Sequence, residues 1–568
     1  MKLILSRLAY FKKEAVFSPL FKLFEAILDL LVPIVLADII DKGISGQDTL
    51  LIKNRFIILI IMAFAGILLS LIAQYFAAKA AVGTSSKIKV DLFHKIQTLS
   101  FADLDVTGTA SIITRLTEDI TSVKTGVNLG LRLLLRSPFI VFGSLLCSFL
   151  IDWKSGLIFT CIVLVLFVIV FVITFGTLKR YSEIQNKTDI ILTQTRETLA
   201  GAKVIKAFTK ENDEYEKFVK QNNILTKLQV VTSKISLLLN PLTLFLINIT
   251  IVVFLLSNKT NLSIGILTTG QVVALYNYLS QILVELIKLS NLVITESKTL
   301  AASKRIDNIL KIESEKVCFG SSKPNNFDIN LDNVSFQYRI NSLPTLKNIN
   351  FSIPYGSKIG IIGGTGSGKS TLIELLSGNY RISSGSIKIG DTEICDIDEK
   401  YMKDTLISYV PQHAQLFSGS VRENMSMNKD IDDALITDAL KDACIFDQID
   451  KKGGLDYMLT EGGSNLSGGQ RQRLCIARAL SNNGKILILD DSFSALDYAT
   501  EKDVRSCLMK KENTVIIVSQ RVSSIMNCEN IIVLNDGEIV GIGKHSELLD
   551  KCEIYKEICL TQLKENPS

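Results

Sequence analysis

KIGIIGGTGSGKST, residues 358–371, is the stretch that decides the fold of the second half of this chain. An apolar run typical of a strand leads into a glycine-rich turn, and a helix is predicted to open at Gly368. The turn carries the pattern G-x-x-x-x-G-K-[ST], from Gly363 to Ser370. Glycines let such a loop wrap phosphates with backbone N–H groups, and the helix N-terminus adds a favourable field. The stretch therefore predicts a phosphate-binding loop, with Lys369 at the β- and γ-phosphates and Ser370 on Mg²⁺.

The second half of the same site is predicted about 120 residues further along the chain, in KILILDD, residues 485–491. Four apolar residues form a predicted strand that ends at Asp490, the type of acid that holds Mg²⁺ through water in P-loop ATPases. An apolar run followed by an aspartate is common and says little by itself. Paired with the glycine-rich loop, it predicts a site for ATP and Mg²⁺ in an α/β domain.

A third motif lies between these two, in NLSGGQRQRLCIARAL, residues 465–480. Ser467, Gly468 and Gly469 open an Arg-rich helix, whose N-terminus is a further place for an anion. An ATPase with a single site has no need of a second phosphate-binding helix end. A dimer has such a need, if the helix of one subunit closes over the nucleotide of the other.

The composition of the 568 residues argues against several other classes of function. The net charge is only +5 and no basic cluster is interleaved with aromatics, so no nucleic-acid partner is expected. The ten cysteines form no C-x-x-C pattern and the chain has three histidines, so a zinc site is not expected. Most of the cysteines lie in residues 311–568, which are predicted to form a soluble globular domain, and this fits a reducing cytoplasm.

The first half of the chain contains six apolar stretches that are candidates to cross a bilayer. They are residues 17–40, 56–80, 127–150, 155–178, 235–256 and 264–288. The long segments 81–126 and 179–234 are polar and rich in Lys and Arg, which predicts that they and the N-terminus are cytoplasmic. Their pattern stays helical, so the membrane helices are predicted to continue into the cytoplasm and turn back at 101–110 and 209–218. These features predict a multi-pass protein of the cell (plasma) membrane.

Two acids interrupt the first apolar stretch. Glu25 and Asp29 are four residues apart and share a helix face, with Asp29 near the middle of the membrane. A carboxylate at that depth faces the bundle interior or a watery cavity. Two interpretations stay open: contact with a substrate or cation in a substrate cavity, and a structural hydrogen bond to a neighbouring helix. For Glu285 and Lys288, near the inner end of the last stretch, a local i,i+3 pair is favoured.

The second half resembles the ATPase domain of ABC transporters. The resemblance rests on the order Tyr338, GGTGSGKST, Gln412 in YVPQHAQLF, LSGGQ, ILILDD and SALD. The first half resembles the exporter-type membrane domain, in GAKVIKAFTKENDEYEKF, LTTGQVVALYNYLSQIL and SKRIDNIL. The resemblance implies an α-helical membrane domain of six transmembrane helices with long cytoplasmic extensions, residues 1–310, and a linker, 311–330. An α/β P-loop ABC ATPase domain follows, residues 331–568.

The same resemblance implies a role for each motif residue. Tyr338 stacks on adenine, and Gln412 links the metal to the membrane domain. The phosphates are held by Gly363, Gly364, Thr365, Gly366, Ser367, Gly368, Lys369, Ser370 and Thr371. Mg²⁺ is held, partly through water, by Ser370, Gln412 and Asp490. The γ-phosphate of a partner subunit's nucleotide is capped by Ser467, Gly468, Gly469 and Gln470, and Asp497 lies in the loop of the dimer contact. With one membrane domain and one ATPase domain, the chain is expected to be a half-transporter that must dimerise.

Two positions depart from the pattern of the family. The family has Glu directly after the metal-facing Asp, as the base that orients the attacking water, and this chain has Asp491. Asp is one methylene shorter, roughly 1.5 Å, whereas a general base must come within hydrogen-bond reach of its proton. The family has a switch histidine before Arg in the segment that here is NTVIIVSQRVSSI, and this chain has Gln520. Gln donates a hydrogen bond but has no titratable proton.

These departures predict an asymmetric transporter. The binding residues are intact and the hydrolytic ones are altered, as in the subunit of heterodimeric ABC exporters that carries the weak site. The chain is thus expected to be an ATP hydrolase coupled to export of an amphipathic small molecule, lipid or peptide. Its own site hydrolyses slowly, and its LSGGQ completes the competent site of a non-identical partner with the catalytic Glu and the switch His. The alternatives are a homodimer with two slow sites, an importer with an exporter fold, and an ATP-gated channel or sensor.

Overall fold

A computed structural model gives the fold of the chain. It describes residues 1–238, 241–242, 244–246, 248–249, 252, 268–313, 320–338 and 343–565. Two compact units are distinguished by their internal contacts. The helical unit consists of residues 1–98 and 108–312, and the sheet unit consists of residues 99–107 and 313–568. The short segment 99–107 therefore belongs, by its contacts, with residues more than two hundred positions further along the chain.

Long α-helices make up the helical unit, because apolar residues dominate most of its length. Among the described residues up to 312, the helices are α1 Lys2–Leu8, α2 Lys12–Asp38, α3 Thr49–Gln97, α4 Phe101–Thr107, α5 Thr109–Thr114, α6 Ile120–Leu133, α7 Arg136–Ile151, α8 Trp153–Ala200, α9 Ala202–Ala207, α10 Glu211–Leu237 and α11 Thr269–Leu310. Helix α4 is the one in this series that belongs to the sheet unit. Two π-helical turns, Ile39–Ile44 and Arg115–Asp119, follow α2 and α5.

Four of the six predicted membrane stretches lie in helices that are long and apolar enough to cross a membrane. Within the described residues these helices are Thr49–Gln97, Thr109–Ile151, Gly156–Ala200 and Thr269–Leu310. The first stretch, 17–40, lies in α2 and the π-helical turn after it, but Lys22, Glu25 and Asp29 lower its hydropathy and it is not among the four. The fifth, 235–256, lies largely outside the described residues. The predicted count of six spans is therefore not confirmed.

The helical hairpins turn close to the predicted positions, with one correction. Helix α3 ends at Gln97 and α5 begins at Thr109, so the first turn, 98–108, overlaps the predicted segment 101–110. The second turn lies at 201–210, and the prediction of 209–218 was wrong. Residues from Glu211 onward belong to α10, whose first turn contains three acids. Negative side chains stabilise a helix N-terminus, so the polar run marks a helix start instead of a turn.

The sheet unit contains two main sheets. Its strands are β1 Ile329–Phe336, β2 Leu346–Ile353, β3 Lys358–Gly363, β4 Ser384–Ile389, β5 Thr392–Glu393, β6 Ile407–Val410, β7 Gly419–Ser420, β8 Met458–Leu459, β9 Ile486–Asp490, β10 Thr514–Val518, β11 Asn530–Asn535 and β12 Glu538–Gly543. A mixed sheet has the order β12-β11-β3-β10-β9-β6, and all its neighbours are parallel except β11 and β12. An antiparallel sheet has the order β2-β1-β4-β5.

The central positions of the parallel strands are mostly apolar because both faces of their sheet are buried. In β9, Ile486 and Ile488 belong to the core shared with the antiparallel sheet. Leu487 and Leu489 belong to the core on the opposite face, which contains residues of the helix that follows LSGGQ. Side chains alternate between the faces of a strand, so one run of four apolar residues supplies both cores. This is the physical basis of the apolar run before Asp490.

Helices complete the sheet unit. They are α12 Lys369–Leu376, α13 Glu399–Tyr401, α14 Val421–Ser426, α15 Asp433–Asp442, α16 Phe446–Asp450, α17 Gly468–Ser481, α18 Tyr498–Met509, α19 Val522–Ile525, α20 His545–Lys551 and α21 Glu553–Glu565. Helix α12 follows β3 through the glycine-rich turn, and α18 follows β9 through the SALD loop.

A close approach of two helices in the helical unit yields a prediction about stability. A Cβ atom added at Gly126 of α6 would overlap the side chain of Thr299 in α11, whose hydroxyl donates to the Ser122 carbonyl at 3.1 Å. We expect Gly126→Ala to destabilise the unit by about 1–3 kcal/mol, the usual effect of overpacking. Thermal unfolding in detergent measures this loss. Gly66→Ala in α3 is the matched control, because an added Cβ there meets nothing within 4 Å. Equal melting temperatures for both variants would contradict the close packing.

Candidate nucleotide site

The predicted site residues converge at one edge of the parallel sheet. Val518 of β10 is paired with Ile361 of β3 on one side and with Asp490 of β9 on the other. Because parallel strands end at the same edge, the loops after β3, β9 and β10 meet there. The cleft between them has a volume of about 260 Å³. Among the residues that line it are Thr365, Gly366, Gly368, Lys369, Ser370, Thr371, Gln412, Asp490, Asp491 and Gln520.

The glycine-rich turn has the backbone conformation that its composition requires. Gly366 and Gly368 have φ angles of +83° and +96°, which other residues adopt only with strain. The turn wraps around the buried side chain of Lys369, whose Nζ donates to the carbonyls of Gly363 at 2.9 Å and Gly364 at 2.7 Å. Burial lowers the pKa of Lys369, and the carboxylates of Asp491 and Asp490 oppose that shift. A cation held in this loop is ready to bind a phosphate group.

The oxygen atoms expected to hold a metal lie together. The Ser370 hydroxyl donates to Oδ1 of Asp490 at 3.4 Å, and Gln412 lines the same cleft. Burial raises the pKa of Asp490, and its hydrogen bond with Ser370 opposes that shift. Hydroxyl, amide and carboxylate oxygens are the hard donors that Mg²⁺ prefers, with the remaining positions left to water and phosphate. The donor set therefore fits Mg²⁺ bound together with a nucleotide.

The two residues that depart from the family pattern are direct neighbours. Asp491 follows β9 with a φ of +45°, and its backbone N–H donates to the Val518 carbonyl at 3.0 Å. Burial raises the pKa of Asp491, whereas the charges of Arg521 and Lys369 lower it. The backbone of Gln520 also lies near enough to lower the pKa of the Asp491 carboxyl, and both residues line the cleft. The short acid and the glutamine thus occupy one corner of the cleft.

The corner formed by Asp491 and Gln520 is held in place by residues outside the sequence motifs. Arg521 donates to the carbonyl of Ser494 at 3.2 Å and lies 3.6 Å from the carboxylate of Glu501. Glu501 is only 2% exposed and accepts from the Ser524 hydroxyl at 2.6 Å. On the other side, Gln562 of the last helix donates to the Gln520 carbonyl at 2.6 Å. Glu501 and Gln562 are separated from Gln520 by too many residues for a sequence motif to connect them.

The LSGGQ segment begins α17 and does not line the cleft of its own chain, within the residues that the structure describes. Ser467 and Gln470 form a capping box: the Gln470 backbone N–H donates to the Ser467 hydroxyl, and the Ser467 N–H donates to the Gln470 side chain. Gly468 and Gly469 form the first turn of the helix. Asp497 is the N-cap of α18 and accepts from Thr500. These predicted contacts with a partner's nucleotide stay predictions.

The predicted adenine residue, Tyr338, lies just beyond the end of β1. Its hydroxyl is 3.0 Å from the Thr371 hydroxyl, and its side chain is about half exposed. The cleft-lining residue Thr371 thus connects the aromatic ring to the phosphate loop. Ser367, Gly363 and Gly364 belong to the same loop through their contacts with Lys369.

In the helical unit, the two acids of the first stretch are paired with cations. Glu25 accepts from Lys22 at 2.5 Å, and Asp29 accepts from Arg136 of α7 at 2.8 Å. Arg136 also contacts Glu285 of α11 at 2.5 Å. This arrangement matches the structural interpretation of the acids, although the Asp29 side chain remains 43% exposed. The substrate role of Glu25 and Asp29 stays a prediction. The sequence analysis did not identify Arg136, despite its position in an apolar run.

The pair predicted between Glu285 and Lys288 is confirmed, with an N–O distance of 2.8 Å. Glu285 has further partners that the sequence did not indicate. Besides Arg136, it accepts from the buried Ser137 hydroxyl at 2.6 Å.

Comparison with known proteins agrees with the site and the fold. Residues 16–286 match the family model "ABC transporter transmembrane region", and residues 346–494 match "ABC transporter". A Bacillus subtilis (strain 168) protein called "Uncharacterized ABC transporter ATP-binding protein YfiB" is 33% identical over 545 residues, 95% of this chain and 94% of that protein. An "ATP-dependent lipid A-core flippase" of Vibrio vulnificus (strain CMCP6) is 26% identical over 548 residues, 94% of this chain and 92% of the flippase.

A solved structure has the same fold. "Structure of a bacterial Atm1-family ABC exporter with ATP bound" superposes with a TM-score of 0.81 at 23% identity, covering 98% of this chain and 99% of that one. A helical membrane unit joined to an ATP-binding unit with a phosphate loop defines a membrane transport ATPase. The chain belongs to the ABC transporter family, and it has the exporter-type fold, with a fused membrane domain and ATPase domain.

The pairing of Ser370 with Asp490 yields a prediction about metal binding. We expect Asp490→Asn to weaken Mg²⁺ at this site by about tenfold or more, because the amide lacks the negative charge that attracts the cation. Calorimetric titration of the protein with ATP, once in the presence of Mg²⁺ and once in the presence of a chelator, measures the difference. Asp438→Asn, on the exposed face of α15, is the control and should bind as the unmodified protein does. If Mg²⁺ increases the ATP affinity of Asp490→Asn as much as that of the unmodified protein, Asp490 does not hold the metal.

Proposed function

We propose that this protein is one half of an ATP-driven exporter of an amphipathic small molecule, lipid or peptide. The exporter-type fold and the match over nearly the whole chain to a lipid A-core flippase support a substrate with an apolar part. The transported molecule would enter between the membrane helices, with Glu25 and Asp29 near its path. The N-terminus and the ATPase domain lie on the cytoplasmic side of the cell membrane, as the Lys- and Arg-rich segments favour.

The ATP site of this chain binds nucleotide and hydrolyses it slowly. The observation that carries this proposal is the corner formed by Asp491 and Gln520 in a cleft whose phosphate loop is intact. The carboxylate of Asp491 ends roughly 1.5 Å short of the place where a glutamate would orient water. Gln520 can donate a hydrogen bond toward a γ-phosphate, but its amide has no titratable proton. ATP would therefore be held by Lys369 and the loop, with Mg²⁺ on Ser370 and Asp490.

A non-identical partner subunit completes the transporter. The N-terminus of α17, with Ser467 and Gly469, does not line the nucleotide cleft of its own chain among the described residues, which favours a role at the partner's site. The partner is expected to carry the glutamate and the histidine that this chain lacks. ATP binding would close the two ATPase domains and hydrolysis at the competent site would let them reopen, so that the membrane helices alternate between two arrangements.

The proposal predicts the activity of the isolated chain. Purified alone in nanodiscs, the protein should bind ATP but turn it over slowly. Restoring the family residues with Asp491→Glu and Gln520→His together should raise the turnover by roughly tenfold or more, because a general base contributes at least this much. A steady-state phosphate-release assay measures both proteins.

Two control variants are measured beside the double variant. Asp491 has a left-handed backbone conformation that Asp tolerates better than Glu, so the single variant Asp491→Glu is measured separately to detect strain. Asp491→Asn with Gln520→His supplies the histidine without a base and should stay slow. Brisk hydrolysis by the unmodified chain as a homodimer would refute the proposed asymmetry, and an unchanged rate in the double variant would show that these residues do not limit turnover.

A further inference from the structure

The segment that carries Gln520 is bound by one side chain of helix α21. The amide of Gln562 donates from Nε2 to the Gln520 carbonyl at 2.6 Å and accepts at Oε1 from the Val522 backbone N–H at 2.9 Å. Between these two contacts, Arg521 is extended, with φ −95° and ψ 123°. An amide that donates to one backbone group and accepts from another reproduces the paired hydrogen bonds of neighbouring strands. Gln562 thus binds the Gln520 segment as a short partner strand would.

The packing of α21 explains why Gln562 reaches this segment. Tyr555 and Cys559 are buried in the hydrophobic core of the sheet unit. Gln562 follows them at the spacing i, i+4, i+7, which keeps the three residues on one face of the helix. The Tyr555 hydroxyl also lies 2.7 Å from Nδ1 of His545. Because buried side chains are closely packed, α21 is anchored about one turn before it presents the Gln562 amide to the backbone at Gln520.

The two contacts of Gln562 fall where the chain has left the sheet and has not yet completed the start of α19. Before Gln520, the Ser519 N–H donates to the Ile361 carbonyl at 3.1 Å, beyond the end of β10. After it, α19 begins at Val522, and the first N–H groups of a helix have no partner within that helix. Gln520 lies between these two supports, is exposed and lines the cleft. The backbone position of Gln520, and with it the direction of its side chain, therefore depends on Gln562.

We propose that Gln562 is a positioning residue, which holds the backbone of Gln520 so that its side chain donates to the γ-phosphate, and that it thereby sets how strongly this site prefers ATP to ADP. The inference rests on the proposed function in one respect, the contact of Gln520 with the γ-phosphate. A neutral hydrogen bond weakens steeply when its angle departs from the optimum, so this donor has to be held in place. ADP has no γ-phosphate, and its binding should not depend on Gln562.

Binding of two nucleotides tests this inference. The full chain in nanodiscs is titrated calorimetrically, in the presence of Mg²⁺, with ADP and with the nonhydrolysable ATP analogue AMP-PNP. Gln562→Met retains a long, unbranched side chain of high helix propensity but lacks the donor and the acceptor of the amide. We expect this variant to bind AMP-PNP about fivefold more weakly, the equivalent of one neutral hydrogen bond, and to bind ADP as the unmodified protein does.

Three comparisons separate the hydrogen bonds from the packing of α21. Gln562→Glu retains an acceptor for the Val522 N–H but has no donor for the Gln520 carbonyl, so it should lose at least as much AMP-PNP affinity as Gln562→Met. Thr561→Ala removes a hydroxyl that donates within the helix, to the Glu557 carbonyl at 2.9 Å, and should bind both nucleotides as the unmodified protein does. In a Gln520→Ala background, Gln562→Met should have no further effect, because the side chain that it positions is absent.

The outcomes distinguish this inference from the proposed function. If Gln520→Ala weakens binding of AMP-PNP and Gln562→Met does not, the positioning role is refuted and the role of Gln520 stands. If Gln520→Ala leaves the preference for AMP-PNP over ADP unchanged, Gln520 does not contact the γ-phosphate and the positioning role fails with it. Equal losses for both nucleotides would show that Gln562 is only structural, and additive losses in the double variant would likewise overturn the inference.

Discussion

The parallel register of β3, β10 and β9 is the constraint on which the nucleotide site depends. Val518 of the middle strand is paired with Ile361 and with Asp490, so the phosphate loop and the metal-facing acid emerge at the same level of the sheet. A shift by one residue would turn Asp490 toward the apolar core, because side chains alternate between the faces of a strand. Complete burial of both faces excludes such a shift, since each strand supplies two hydrophobic cores at once.

Charged side chains at this edge of the sheet form a site that can bind an anion. Lys369 is buried and held by carbonyl groups of its own loop, and two carboxylates lie near it at the end of β9. The corner with Asp491 and Gln520 is as well supported as the rest, through Arg521 and the buried Glu501. The altered residues therefore occupy an ordered part of the cleft.

The helical unit shows how charges are accommodated in a largely apolar bundle. Arg136 of α7 links acids on two other helices, Asp29 of α2 and Glu285 of α11. An isolated carboxylate would be costly there, and pairing within the bundle offsets most of that cost. Because three helices share one guanidinium group, a large relative movement of these helices would strain or break the ion pairs of Arg136. Ion pairing and helix movement are thus connected in this unit.

The sequence by itself determined the phosphate loop, its metal-facing acid, the LSGGQ helix, most of the apolar stretches and the two departures at Asp491 and Gln520. Each of these is a local pattern, because backbone conformation, strand burial and helix ends select residue types over a few adjacent positions. The start of α10 was predicted wrongly, since a cluster of acids suits a helix N-terminus as well as a turn. Tertiary structure alone decided that Asp491 and Gln520 share one corner of the cleft and that Arg136 joins three helices. These contacts connect residues far apart in the chain, and they follow from strand register and helix packing, which no local pattern encodes.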